Sequence, residues 1–332
     1  MSIAGARGGL VVSLDFELAW GVFDTLGVDG DYRANLYGAR EAVPRILDLF
    51  EEHGVAATWA TVGFLFAESR DELLSLAPDE RPSYVDRRLD PYLEQLGEGE
   101  ADDPLRYAPS LIAEIARRPR QEIASHTFSH FYCLEAGQTL EEFDADLAAA
   151  RRIAAARGHE VTSLVFPRNQ IRADYLPALA RNGFTAYRGA EPNWLNRPRA
   201  GASGSLPVRA VRLADVFLDL TGPAAVPWSE VAQPGGLANV RSSRFLRPRV
   251  NRPYLEALRW RRVAAGMTTA AARGALFHLW WHPHNFGADL EGNLTALRGH
   301  LELYARLREQ YGFGSYSMAE VARLAPPVNS AQ

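Results

Sequence analysis

Two carboxylates stand two residues apart in Ser13-Leu14-Asp15-Phe16-Glu17. On an extended segment that spacing points both side chains the same way, so Asp15 and Glu17 can share a cation and a water. Downstream, Ser125-His126-Thr127-Phe128-Ser129-His130 carries two histidines separated by three residues. On one helical turn or tight loop, both imidazoles reach a single divalent ion. With Asp15 or Glu17 the pair makes a two-His, one-carboxylate site that leaves positions open for water and substrate. Taken singly, the acids could be solvated at a strand end and the histidines could sit on a surface helix. The Ser, Thr and Phe residues around His126 and His130 argue against a freely solvated surface.

Two further segments carry reactive side chains. In Phe166-Pro167-Arg168-Asn169-Gln170, an arginine directly after a buried strand can pair bidentately with a carboxylate, lowering its pKa and fixing its rotamer, or can serve as a structural salt bridge. In Leu276-Phe277-His278-Leu279-Trp280-Trp281-His282-Pro283-His284, the period of two along a strand puts His278, Trp280 and His282 on one face. His282 ends that strand, where it can give a proton to a leaving group. His278, deeper, reads as a hydrogen-bonded core residue.

All four segments fall where a predicted strand ends. Strand-like runs at Leu10–Leu14, Val55–Thr61, Glu122–Ser125, Ser163–Phe166, Thr185–Arg188 and Leu276–Trp281 alternate with helical patterns, which predicts an α/β fold with a mainly parallel sheet. Val208–Leu213 reads as one more strand. Helices are predicted over Ala39–Glu52, stopped by Gly54, from a Thr139/Glu142 capping box to about Arg157, over Ala173–Arg181 and over Gly292–Glu309. Ser317 and Glu320 form a second capping box. The stretch Glu191–Pro207, rich in Pro, Gly and Asn, predicts a loop. Residues 68–120 are too long for a simple connection and predict a mainly helical insertion between the second and third strands, set over the rim of the site. We expect one catalytic domain over residues 1–332.

Composition narrows the function. The chain has 332 residues, 47% of them hydrophobic, with a formal net charge of -4, which offers no basic face for nucleic acid. All 36 basic residues are arginine. The lone Cys133 permits neither an internal disulfide nor a thiolate metal site. The N-terminal apolar run meets Asp15 too early for a signal peptide, and no stretch approaches the ~20 apolar residues of a membrane span, so a cytoplasmic protein is expected.

Taken in order from Asp15 to His284, the four segments resemble the motif series of the polysaccharide deacetylases of carbohydrate esterase family 4, most closely at Ser-His-Thr-Phe-Ser-His. The resemblance implies a distorted (β/α) barrel of about seven strands, with catalytic groups at the C-terminal ends of the strands. It implies Glu17, His126 and His130 as ligands of one divalent metal, Zn²⁺ foremost with Co, Ni or Mn as alternatives. Asp15 would be the general base, Arg168 the residue that aims it, and His282 the general acid. Asp15 and Glu17 could exchange roles. Trp20, Asn169, Trp281 and His284 are expected to contact the substrate, an N-acetylated polysaccharide, oligosaccharide or lipid-linked sugar precursor. The sequence departs from the family in the spacing of its acids, since adjacent acids are common there and Phe16 intervenes here. It departs again in Phe-Pro-Arg-Asn-Gln. The acid-x-acid spacing looks like the branch holding some peptidoglycan deacetylases and allantoin-type amidases, so hydrolysis of another C–N amide bond is the alternative. A non-haem iron oxygenase shares the ligand set but not the alternating helices. A non-catalytic carbohydrate-binding relative would be expected to have lost a base or a ligand, and neither is missing.

Overall fold

The computed structural model describes residues 7–191, 206–232 and 236–326. Its centre is β1 (Gly9–Phe16), every residue of which is buried, as a near-continuous apolar run in a parallel sheet requires. β2 (Ala57–Thr61), β3 (Gln121–Ser125), β4 (Ser163–Leu164) and β5 (Ala186–Tyr187) follow outward from β1 on one side, and β8 (Leu276–Trp281) lies on the other. Every ladder among these strands is parallel. The short β9 (Gly314–Tyr316) pairs with the start of β1.

The ring is closed by a single extended segment. Its first part, β6 (Ala238–Asn239), pairs with β5, and its second, β7 (Arg244–Phe245), pairs with β8. Between them the Val240 amide donates to the Tyr187 carbonyl and the Ser243 amide to the His278 carbonyl. The result is a distorted (β/α) barrel with, among the described residues, nine strands in place of about seven. The extra ones are two or three residues long, too short to leave a periodic signature.

The helices pack outside. α1 (Arg33–His53) is longer than the pattern suggested, but it ends where expected, at Gly54 in the left-handed conformation (φ 66°). α2 (Arg70–Leu76) and α3 (Pro109–Arg117) lie within the insertion, the rest of which is turns and short 3₁₀ segments. α4 (Leu140–Ala156) and α9 (Met318–Leu324) open on the two predicted capping boxes. α5 (Leu176–Arg181), α7 (Pro253–Arg273) and α8 (Leu290–Tyr311) complete the outer layer. The predicted strand Val208–Leu213 is instead part of a helix, α6 (Leu206–Leu218). Its Val-x-x-Val and Leu-x-x-Val spacings suit a helical face as well as its alternation suits a strand, and a run this short cannot arbitrate. The loop expected over 191–207 lies almost wholly outside the described residues. Among the described residues no helix is long and apolar enough to cross a membrane.

Candidate active site

The C-terminal end of β1 delivers Asp15 and Glu17, both buried, to the mouth of the barrel. β3 ends at Ser125, and the chain then turns through a loop in which Thr127 and His130 adopt left-handed backbone angles (φ 62° and 58°). Non-glycine residues rarely accept such angles unless the surroundings enforce them. Here the buried carboxylate of Asp146, on α4, accepts the amides of Phe128 (2.7 Å) and Ser129 (3.1 Å) and the Ser129 hydroxyl. Burial pushes the Asp146 pKa up to about 6 despite those donors. His126 and His130 are thereby presented from a tight loop, one of the two settings their spacing allowed.

Their imidazoles meet on one atom. His126 Nε2 lies 3.2 Å and His130 Nε2 3.0 Å from Glu17 Oε2. His126 Nδ1 donates to the Val165 carbonyl at 2.8 Å, and His130 Nδ1 contacts the Tyr132 hydroxyl at 3.1 Å. A neutral His126 that spends its N–H on Val165 aims a lone pair at a carboxylate oxygen. A cation between them resolves that repulsion, and a ring whose far nitrogen donates to a carbonyl is the usual setting of a metal-ligating histidine. The donor set therefore fits a divalent ion held by Glu17, His126 and His130. Burial alone would raise the Glu17 pKa, but His282, His126 and His130 together hold it well below the usual carboxylate range.

On its other side, Glu17 Oε1 faces His282 Nε2 at 3.5 Å and His284 Nε2 at 4.0 Å. His282 Nε2 also lies 3.6 Å from Asp15 Oδ2, and its Nδ1 is 3.2 Å from Asn285 Oδ1. Asn285 in turn donates to the Tyr32 hydroxyl at 3.0 Å. His282 is part-exposed at the end of β8, as strand alternation predicted, and His284 stacks on it with ring centroids 4.9 Å apart. Burial holds the His284 pKa down to about 3. His278 is wholly buried and bonded to Ser13 Oγ (2.8 Å) and the Val240 carbonyl (3.2 Å), the core histidine that its depth implied.

The arginine on Asp15 is not the one expected. Arg168 pairs with the buried Asp24, with Nη2 2.7 Å from Oδ1 and 2.5 Å from Oδ2, and lies over the Tyr132 ring at 4.2 Å. It follows a strand end of only two residues and sits at φ 53°, a left-handed turn that directs its side chain to Asp24 rather than Asp15. Arg188, one residue past β5 and fully buried, grips Asp15 with a fork of 2.5 and 2.7 Å. Its other donors reach Ser13 Oγ (3.1 Å) and Asn169 Oδ1 (3.0 Å), and it stacks over Trp280 at 4.2 Å. Asp15 would be raised by burial, but Arg188 foremost, with His126 and His282, keeps its pKa below the ordinary value. Arg188 also ends a predicted strand, so the signal that selected Arg168 applied to it equally.

These groups open on a cavity of about 550 Å³. Asn169 and His284, two of the four residues expected to contact substrate, line it. Trp20 and Trp281 do not. Trp20 is turned inward by the 3₁₀ turn Leu18–Gly21, donating to the Arg106 carbonyl at 3.1 Å. Trp281 falls on the opposite strand face from His282 and stacks on Phe286 in the core. Among the described residues the cavity-lining tryptophans are Trp280 and Trp260. No described residue of 68–120 lines the cavity, contrary to the expectation that the insertion forms its rim; the wall beyond the barrel comes from α6, α7, α8 and the segment after β7.

Residues 29–187 match the family model described as polysaccharide deacetylase, a span that holds His126, His130 and Arg168 but neither Asp15 and Glu17 nor Arg188 and His282. No curated protein sequence matches the chain. Among solved structures, a Mycobacterium smegmatis protein described as a polysaccharide deacetylase superposes with a TM-score of 0.62 at 16% identity, covering 98% of this chain and 92% of that one. Puue allantoinase superposes with a TM-score of 0.54 at 11% identity over 99% and 94% of the two chains. A Pseudomonas aeruginosa PAO1 protein described in the same terms as the first reaches 0.51 at 11% identity over 98% and 92%. At these identities the likeness is one of fold.

Proposed function

We propose that the chain, whose residues 29–187 match the polysaccharide deacetylase family model, is a divalent-metal-dependent hydrolase that removes the N-acetyl group of a carbohydrate. The observation that carries this reading is the convergence of both His Nε2 atoms on one Glu17 oxygen, with an arginine-held Asp15 two residues away and His282 Nε2 3.6 Å from Asp15 and 3.5 Å from Glu17. When bound by Glu17, His126 and His130, the ion supplies Lewis acidity, polarising an acyl carbonyl and lowering the pKa of water.

The chain's own groups move the protons. Asp15 accepts the proton of the attacking water. Arg188 occupies one lone pair on each carboxylate oxygen and leaves the other available, so Asp15 is fixed in place yet still able to accept. Its lowered pKa makes it a weak base, which suffices only where the water is already acidified. His282, with Nδ1 committed to Asn285 and Nε2 turned toward the acids, protonates the departing nitrogen. Arg188 thus takes the positioning role first given to Arg168, while Arg168, through Asp24 and Tyr132, braces the ring that touches His130. Asn169 holds Arg188, and His284 walls the site beside His282.

The test is metal content together with acetate release from a panel of N-acetylated glycans, extended to a formamide and a cyclic ureide. About one tightly held ion per chain is expected, lost in His126→Ala and His130→Ala. Asp15→Asn should keep the ion and lose turnover by ~10²-fold or more, whereas Glu17→Gln should lose the ion. Protein that stays metal-free after reconstitution with Zn²⁺, Co²⁺ or Ni²⁺ rules the reading out.

A further inference from the structure

The part of the cavity lined by α7, α8 and the segment after β7, its α7–α8 arm, includes Arg247, Arg259, Trp260, Asn293 and His300. The charges along it are unevenly spent. Arg262 is held by Asp215 and by Asp219 (3.2 Å). Arg244 is held by Glu191 (3.4 Å) and Asp219 (3.2 Å), and Arg259 by Glu256 (2.9 Å) and the Pro248 carbonyl (2.7 Å). Each of these carboxylates is already engaged. The Arg247 guanidinium, by contrast, on an exposed residue whose carbonyl accepts from Arg259 Nη2, has no hydrogen bond or ion pair of its own among the described residues, and lies over the Phe245 ring at 5.7 Å. Desolvation, Arg259 and Arg262 all hold its pKa below the ordinary guanidinium value, and Glu191 is the one acid acting against them.

A second polar group in the arm is buried. His300 is 4% exposed, and its Nδ1 has no hydrogen-bond partner. A buried polar atom without a partner is uncommon and calls for one. The ring stacks flat on Trp260, 6.2 Å between centroids at an interplanar angle of 10°, which fixes its orientation. Burial, with Arg259, keeps the imidazole neutral, its pKa down to about 4, and its Nδ1 is closed off from the cavity, so the ring shapes the wall without adding charge.

We propose that this arm is a subsite for an anionic substituent of the substrate, a phosphate or carboxylate group, received by Arg247 with His300 beside it and Trp260 as a flat wall. A guanidinium fork with no carboxylate partner matches the paired oxygens of either group, where a neutral hydroxyl would use only one donor. The inference rests on the deacetylase reading for the reacting end of the substrate, and it narrows that substrate to an acidic sugar or sugar phosphate.

The experiment compares kcat/KM for acetate release from three matched N-acetyl sugars, one neutral, one phosphorylated and one a uronate, using the metal-loaded full chain and Arg247→Gln. The wild type should favour at least one acidic sugar, and which one identifies the group. Arg247→Gln should reduce that preference by about 10- to 100-fold, the range for a lost hydrogen bond to a charged group. Calorimetric titration with inorganic phosphate and with glucuronate gives a readout apart from turnover, and Arg247→Gln should weaken binding by a similar factor. Equal kcat/KM for all three sugars, or phosphate and glucuronate binding the same in both proteins, overturns the subsite. If no sugar releases acetate while Arg247-dependent binding persists, the deacetylase reading fails and the subsite stands.

Discussion

Replacing Arg188 separates the two arginines more sharply than any other change. In Arg188→Gln, Asp15 loses both forked contacts and keeps its burial at 3% exposure. Removing one partner of a buried ion pair costs about 3–5 kcal/mol, because the remaining charge is left uncompensated. The direction with pH follows from the Asp15 pKa. In the wild type it lies below the unfolded value, so the pair's stabilisation is full above that value and is lost as pH falls through the folded pKa. In the variant, burial acts without Arg188 and pushes the pKa up, so Asp15 destabilises the fold increasingly as pH rises through its new value. The stability gap between the two proteins should therefore be widest near neutrality and narrow in acid. Urea denaturation of metal-free protein from pH 4 to pH 8 measures it. Asp15→Asn in the Arg188→Gln background should recover much of the loss, since it removes the stranded charge. Arg168→Gln, which strands Asp24 instead, should leave Asp15 ionised and the acidic limb of the activity profile in place. If Arg168→Gln moves that limb and Arg188→Gln does not, the assignment is refuted.

Two further outcomes follow from the histidines. His282→Ala should lower turnover by ~10²-fold or more with metal content intact, and activated anilides, whose leaving nitrogen needs less protonation, should lose less than sugar amides; a leaving-group dependence in His284→Ala alone would move the acid to His284. His300, buried and neutral with a pKa near 4 against an ordinary 6.5, makes the fold lose stability as pH falls from about 6.5 to about 4, by roughly 3 kcal/mol. His300→Phe should flatten that part of the profile in urea titrations, and an unchanged slope would show that the ring is not a buried neutral base.

The barrel was legible in the sequence because its central strand is long and mostly apolar and its capping boxes are local. Gly9–Phe16, Thr139/Glu142 and Ser317/Glu320 behave as read. Asp15, Glu17, His126, His130 and His282 come together because each sits at or just past a strand end, and parallel strands gather their ends on one side. What stayed hidden depends on direction rather than position. Arg168 and Arg188 both follow short strands, and only the backbone turn at Arg168 decides which carboxylate each can reach. Trp280 and Trp281 are adjacent, and the strand phase that correctly placed His282 also sends Trp281 into the core. The rim fell to α7 and α8 and not to residues 68–120, because length between strands says that a segment must pack somewhere and not against what.

The segment that closes the ring has a bearing on solubility. A parallel sheet left open at β5 and β8 would present two rows of unpaired amides and carbonyls, each a template for pairing with another chain. One stretch, Ala238–Leu246, occupies both rows, donating to Thr185 and Tyr187 on one side and to His278 and Trp280 on the other. Both edges are thus shielded by a handful of ladder bonds in consecutive residues. Proline at Val240 would remove the amide that bonds Tyr187 and disturb its neighbours. Damage at that one stretch would expose two edges together, so aggregation on heating should begin at this seam before the long central strands give way.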